Sequence, residues 1–451
     1  MLIRPAIAAI TILISSSTFS QTPEQRYFEW TSLPFSKEEL SLRRANLIDK
    51  LNSQGSSGLV LIPSRDGRSH GETYRELDDF YYFTGLELPN SILALDVADK
   101  SMVLYVPERD IRFESSSRPN DFPGRPLLND SEISNKSGLT FENIKGLPAH
   151  LEKLSGHTTI LLSSGNSGDI IYPSNDFVTS ISPIQVLIRS LQKFDSGLEF
   201  QNIYSAVAEL RMVKSPAEIE TMRRATDINV SGIMTAAKAI TPGKSERYLE
   251  GVLEGDYKIN GAQRLAFGSI IKSGPNSLWP WRILATHYDR RNRSMETGDM
   301  VIFDVGCEYN YYVSDVGRTF PVSGKFTDRQ KEVLEMEVQI ADQIIDYIKP
   351  GITFYDLKKF VDSIIPAEAK QYMQAGLHFG HHLGLSTGDP NLPDAQLAPG
   401  MIFTVEPWYY NHDEGISVFT EDVILVTEDG NENLSANLPR YPGDIEKLMK
   451  E

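Results

Sequence analysis

Val301-Ile302-Phe303-Asp304-Val305-Gly306 and Ser314-Asp315-Val316-Gly317-Arg318-Thr319-Phe320 set two carboxylates eleven positions apart on β-branched and aromatic runs. Such runs favour strands. An ionised carboxylate flanked by Val, Ile and Phe is costly to bury unless something positive faces it. Two readings meet that requirement. Either Asp315 pairs with Arg318 while Asp304 is a turn residue, or both acids serve a cation.

Downstream, the same half of the chain carries His381 in Phe379-Gly380-His381-His382-Leu383-Gly384-Leu385 and Glu406 in Met401-Ile402-Phe403-Thr404-Val405-Glu406-Pro407. Glu421 opens the run Glu421-Asp422-Val423-Ile424-Leu425. Each has a plainer reading, since a lone histidine is often a core residue and Glu421 has Arg440 as a candidate partner. Together, four carboxylates and one imidazole on apolar strands form a metal-site inventory. Oxygen-rich ligation with a single nitrogen suits Mn, Co, Fe or Zn in a two-metal centre better than a structural zinc. Cys307 is the one cysteine, which excludes an intrachain disulfide and a cysteine-cluster metal site.

The rest of the 451-residue chain frames this half. The length predicts two to four domains, and 40% hydrophobic with 23% charged residues is enough to bury a core. Acidic residues outnumber basic ones, 61 to 44, and the net charge of −17 opposes nucleic acid or an anionic membrane as partner. Arg4 ahead of the apolar run from Pro5 to Ile14, then small residues to Ser20, reads as a secretory signal peptide over 1–20, so the mature chain is expected to be exported and to carry no membrane span. An N-terminal α/β domain is expected over 36–194, with helices at 37–51 and 177–193 and strands at 59–62, 80–83, 92–97, 102–106 and 158–162. Residues 109–137 read as a surface excursion and 194–212 as the boundary. In the second domain, 213–451, Ser215-Pro216-Ala217-Glu218 is a capping box opening a helix to about residue 240, and a second helix is expected over 327–348. Pro242-Gly243 and Pro350-Gly351 stop them. Strand-like segments at 301–305, 309–313 and 316–320 near one helix, and at 402–405 and 423–426 near the other, hint at a duplicated αβ unit.

With these residues in view, the sequence resembles the creatinase/prolidase-type pita-bread metallopeptidases, and among them the Xaa-Pro aminopeptidases. Asp304, Asp315, His381, Glu406 and Glu421 follow the family's five metal ligands in order and in context, and Asp79-Phe80-Tyr81-Tyr82-Phe83-Thr84-Gly85 resembles its N-terminal domain signature. The resemblance implies an aminopeptidase P-like α/β N-terminal domain and an α+β pita-bread catalytic domain. It implies a binuclear centre, Mn first among the candidates, in which Asp315 and Glu421 bridge, Asp304 completes one ion's shell, and His381 with Glu406 complete the other. Glu406 would exchange protons with water. His287, seventeen positions before Asp304, matches a family histidine, and the resemblance implies contact with the tetrahedral intermediate or the proline side. The implied activity is removal of the N-terminal residue of a peptide before proline, by a homo-oligomer. A prolidase-type Xaa-Pro dipeptidase and a metal-binding homologue with weak or no peptidase activity are the alternatives.

Two departures stand out. The family places a second histidine seven residues after the ligand, where this chain has Gly388, and an arginine two residues before the last glutamate, where it has Phe419. Slow turnover is expected from both, with Gly388→His and Phe419→Arg restoring rate and His378 the first candidate substitute. Trp279 and Trp281 are expected to wall a pocket or pack a longer loop.

Overall fold

The N-terminal half begins with a helix anchored from both ends. In the computed structural model, which describes residues 33–67, 74–107, 131–154, 159–164, 182–278, 292–373, 380–390, 392 and 394–450, helix α1 (Lys37–Ser53) is capped by the Ser36 hydroxyl, which accepts from the Glu39 amide at 3.2 Å. Leu40, Leu47, Ile48 and Leu51 form its buried stripe. The signal-peptide segment, Trp279, Trp281, His287 and His378 lie outside the described residues.

Strand β1 (Leu59–Pro63) follows, then helix α2 (Asp78–Thr84). The run Phe80–Phe83, expected as a strand, is therefore helical. Four consecutive apolar residues carry no period, so the deciding signals are at the ends. Asp78 and Asp79 sit in the first turn, and Gly85 closes the helix in the left-handed region at φ 66°. Arg44, buried, donates to the free carbonyl of Phe83 at 2.7 Å.

Strands β2 (Ile92–Asp96) and β3 (Met102–Val106), helix α3 (Ser131–Ser137), β4 (Thr140–Asn143), helix α4 (Leu147–Leu154), β5 (Thr159–Leu162), helix α5 (Pro183–Phe194) and β6 (Glu199–Asn202) complete this half. One sheet orders them β4-β3-β2-β1-β5-β6, antiparallel for β1/β2 and β2/β3 and parallel elsewhere. The sheet thus continues past Phe194, and helix α6 (Tyr204–Met212) fills the rest of the expected boundary interval. The C-terminal end of the expected surface excursion is α3.

The second half opens on helix α7 (Pro216–Lys238), whose capping box between Ser215 and Glu218 forms as expected. Helix α8 (Glu246–Ile259), not anticipated from the sequence, packs on it, followed by β7 (Arg264–Leu265) and β8 (Ile270–Ser273). The quoted stretches become β9 (Met300–Val305), β10 (Cys307–Tyr309), β11 (Tyr312–Val313) and β12 (Val316–Pro321). The expected strand 309–313 is broken at Asn310 and Tyr311, which take positive φ, 47° and 72°, and form the turn between β10 and β11. Helix α9 (Asp328–Tyr347), again with a capping box, and helix α10 (Phe354–Ile364) precede β13 (Ile402–Val405), β14 (Trp408–Asn411), β15 (Ile416–Phe419), β16 (Asp422–Val426), β17 (Asn431–Asn433) and helix α11 (Pro442–Leu448). Two antiparallel sheets, β12-β9-β8 and β13-β16-β17, form the floor of this half. No helix among the described residues is long and apolar enough to cross a membrane.

Candidate metal centre

The two floor sheets meet through a single backbone bridge. Gly317 and Glu421 exchange hydrogen bonds, N to O at 3.2 Å in one direction and 2.9 Å in the other. Asp315, two residues ahead of Gly317 and so on the same face of the chain, is carried to the Glu421 carboxylate. Asp304 lies directly opposite Gly317 across the β9/β12 pair, which puts it on that face too. His381 arrives along β13: its amide donates to the Thr404 hydroxyl at 3.2 Å and its carbonyl accepts from the Thr404 amide at 3.1 Å. Glu406, two residues beyond Thr404, follows on the same side, and the Thr404 hydroxyl donates to its Oε1 at 3.0 Å.

Asp315, His381 and Glu421 each offer a ligand atom within 4.8 Å of the others. His381 Nε2 lies 3.6 Å from Asp315 Oδ2 and 3.9 Å from Glu406 Oε1. His381 Nδ1 faces the His382 carbonyl at 3.4 Å, and this contact favours the tautomer that keeps a lone pair on Nε2 for the carboxylates. Four of the five expected residues are buried, and His381 is partly exposed. Asp315, His381 and Glu421 are brought together, Glu406 lies beside His381, and Asp304 stands on the same face as Asp315. His287 lies outside the described residues.

The electrostatics suit a divalent cation. Burial first, then the neighbouring Asp304 and Glu406 charges, push Asp315 well above the ordinary carboxylate range. Glu421 moves the same way, by burial and then by Asp315. Glu406 is pushed up to about 8, by burial and then by Asp304, against the hydrogen bond from Thr404. Burial lowers the His381 imidazole. Asp315 Oδ1 and Glu421 Oε2 are buried with no hydrogen-bond partner. Orphaned acceptors of this kind are costly, and clustered acids that cannot all ionise are what a divalent ion would relieve. The donor set suits such an ion.

The plainer pairings are not formed. Arg318, buried, donates to Asp422 Oδ1 at 2.6 Å and to the Glu421 carbonyl at 2.6 Å, so it orients the strand rather than neutralising Asp315. Arg440 pairs with Asp342 at 2.7 Å and Asp422 at 3.4 Å. Thr404 and Arg318 were not singled out as site supports from the sequence. Thr404 had a signal, lying two residues from Glu406 on a strand.

The departures also have a place. Gly388 is exposed, and a Cβ added there meets no atom within 4 Å. Phe419 is fully buried, its ring 4.8 Å from that of Trp408 and lying over Gly317, where a Cβ would overlap it.

Residues 220–428 match Metallopeptidase family M24, and residues 41–115 match the aminopeptidase P N-terminal domain. The chain is 29% identical to the Xaa-Pro aminopeptidase of Escherichia coli (strain K12), with 92% of this chain and 98% of that protein aligned. It is 27% identical to the mitochondrial intermediate cleaving peptidase 55 of Arabidopsis thaliana, covering 91% of this chain and 83% of the other. Among solved structures, an aminopeptidase P of Bacillus anthracis superposes with a TM-score of 0.77 at 25% identity, over 92% of this chain and 99% of its own. The family implies divalent metal ions at the acidic cluster. Residues 220–428 form a pita-bread catalytic domain of metallopeptidase family M24, preceded by an aminopeptidase P N-terminal domain.

Proposed function

We propose that the protein is an exported Xaa-Pro aminopeptidase holding two divalent cations, manganese first among the candidates. The observation that carries this reading is the convergence of Asp315, His381 and Glu421 within 4.8 Å, with two carboxylate oxygens buried and unpartnered. Asp315 and Glu421 would be shared by both ions, Asp304 would complete one shell, and His381 with Glu406 the other. Bound cations acidify water and polarise the scissile carbonyl.

The chain's own residues do the rest. Glu406, its Oε1 steadied by the Thr404 hydroxyl, is placed to take a proton from water and pass it on. Its burial keeps that proton from bulk solvent. His381 keeps Nε2 aimed at the acids through its Nδ1 contact. His287 is proposed to contact the reacting carbonyl or the proline side. The N-terminal signal would direct export, and the family resemblance points to a dimer or tetramer.

A second reading, a homologue with weak peptidase activity, is favoured by Gly388 and Phe419. With an exposed glycine and a buried phenylalanine, neither position supplies the polar group the resemblance expects. Hydrolysis of Xaa-Pro-Xaa peptides against Xaa-Pro dipeptides, each with added Mn²⁺, tests the proposal. Preferential cleavage of the longer peptides supports it, preference for the dipeptides supports a prolidase-type enzyme, and turnover of neither supports the weak homologue.

A further inference from the structure

Eight residues beyond His381, Asp389 is buried where the two halves of the molecule meet. Its Oδ1 accepts from Arg211 Nη2 at 2.6 Å and from the Leu385 amide at 3.2 Å, and its Oδ2 accepts from Lys214 Nζ at 3.2 Å. Its own amide donates to the His382 carbonyl at 3.2 Å. The carboxylate lies so close to Gly384 that a Cβ there would overlap it. The segment from His382 to Asp389 is therefore folded around this one carboxylate. It is fastened further by the Val313 amide, which donates to the Gly384 carbonyl at 2.9 Å, and by Arg75, which donates to the Leu385 carbonyl.

Arg211 does not serve Asp389 alone. Its Nη1 donates to Asp79 at 2.7 Å and its Nη2 also reaches Asp78 at 3.3 Å, both at the start of α2 in the N-terminal half. Arg75 pairs with Asp78 at 2.7 Å as well as with Glu308 at 2.6 Å. One ion-pair network thus runs from α2 through Arg211 to the segment that carries His381.

We propose that Asp389 is a positioning residue for the metal centre, holding the His381 imidazole in place through the Arg211 ion pair and so making metal affinity depend on the N-terminal domain. The inference rests on the proposed binuclear site. Asp389 touches no ligand atom and acts through the backbone of its segment. Neutralising it leaves two buried cations, Arg211 and Lys214, short of an acceptor and releases the segment. Groups that orient a metal ligand without touching the ion typically change affinity ~10–100-fold.

The test is Mn²⁺ titration of the chelator-stripped full chain by calorimetry, comparing wild type, Asp389→Asn, Arg211→Lys and a control, Leu104→Ala, which loosens the N-terminal sheet at a buried position of β3. Wild type is expected to bind two ions. In Asp389→Asn one of them should weaken ~10–100-fold while the other stays within about threefold. Arg211→Lys should weaken the same ion by less, and Leu104→Ala should keep both. Wild-type affinities in Asp389→Asn would overturn the proposal, as would equal weakening of both ions in all three variants, the mark of a merely structural role. Should Asp389→Asn fail to fold, Arg211→Lys decides alone, and wild-type binding by it overturns the proposal. A wild type that binds no Mn²⁺ overturns the metal-centre reading instead, and this inference with it.

Discussion

Asp315 and Glu421 face each other across the junction of the two floor sheets, close enough for one carboxyl to donate to the other, and each keeps a buried oxygen with no partner. The fold places them there through the Gly317–Glu421 bridge, and Arg318 fixes the bridge by donating to the Glu421 carbonyl. Two acids in this relation can share a proton or a cation. They cannot both be ionised and alone without a large penalty.

Metal-free protein should therefore lose stability as pH rises. Asp315, Glu406 and Glu421 hold their protons more tightly folded than unfolded, so across the window the unfolded chain binds fewer protons. For Glu406 the contribution is complete below its ordinary value of 4.5 and is lost as pH passes about 8. The thermal midpoint of chelator-stripped protein is expected to fall by several degrees between pH 6 and pH 9, and metal-loaded protein to fall less. A metal-free midpoint that rises over this range would contradict the electrostatic description.

Asp315→Asn or Glu421→Gln should have opposite effects on binding and on metal-free stability. Each removes a group proposed to be shared by both ions, so stoichiometric metal binding should be lost. Each also removes a buried like charge, so the stripped variant should melt above stripped wild type at pH 8. Retained binding of two ions by either variant would count against the bridging assignment.

Gly388→His and Phe419→Arg, equivalent on sequence grounds, should separate. A side chain at 388 enters open space on an exposed residue, so the histidine should cost no more than ~0.5 kcal/mol. If position 388 faces bound substrate, the added donor should raise kcat/KM on Xaa-Pro-Xaa peptides by ~10-fold or more. Phe419→Arg strips a fully buried ring from Trp408 and buries a guanidinium, at a cost of ~3–5 kcal/mol. Denaturant midpoints and steady-state kinetics check both. A stable, faster Phe419→Arg would show that the ring's packing matters little.

His287→Ala should leave metal content unchanged and lower turnover ~10²–10⁴-fold, the range for a positioned proton-transfer or hydrogen-bonding group. Metal analysis beside kcat reads it. A kinetically silent variant removes His287 from the site.

Much of this site was legible in the sequence because its acids stand on or next to strands whose apolar neighbours betray them. Asp304, Asp315, Glu406 and Glu421 are acids on otherwise hydrophobic runs, and the Ser215 and Thr327 caps announce the long helices. Phe80–Phe83 misled because a short helix buried on all sides has no polar face to set a period. Helix α8 passed unread between two capped helices although Ser245 caps it. Asp389 was opaque for a different reason. Its partner Arg211 is 178 residues away, and an ion pair between elements leaves no local spacing.

On the proposed function, the acidic cluster holds two divalent ions on which hydrolysis depends. Metal content per chain, measured on the protein before and after chelation and again after Mn²⁺ is restored, together with cleavage of an Xaa-Pro-Xaa peptide in each state, tests it most directly. Two ions per chain, no cleavage once they are removed, and recovery when they return are the expected results. Undiminished cleavage by protein shown to be free of metal would contradict the proposed function.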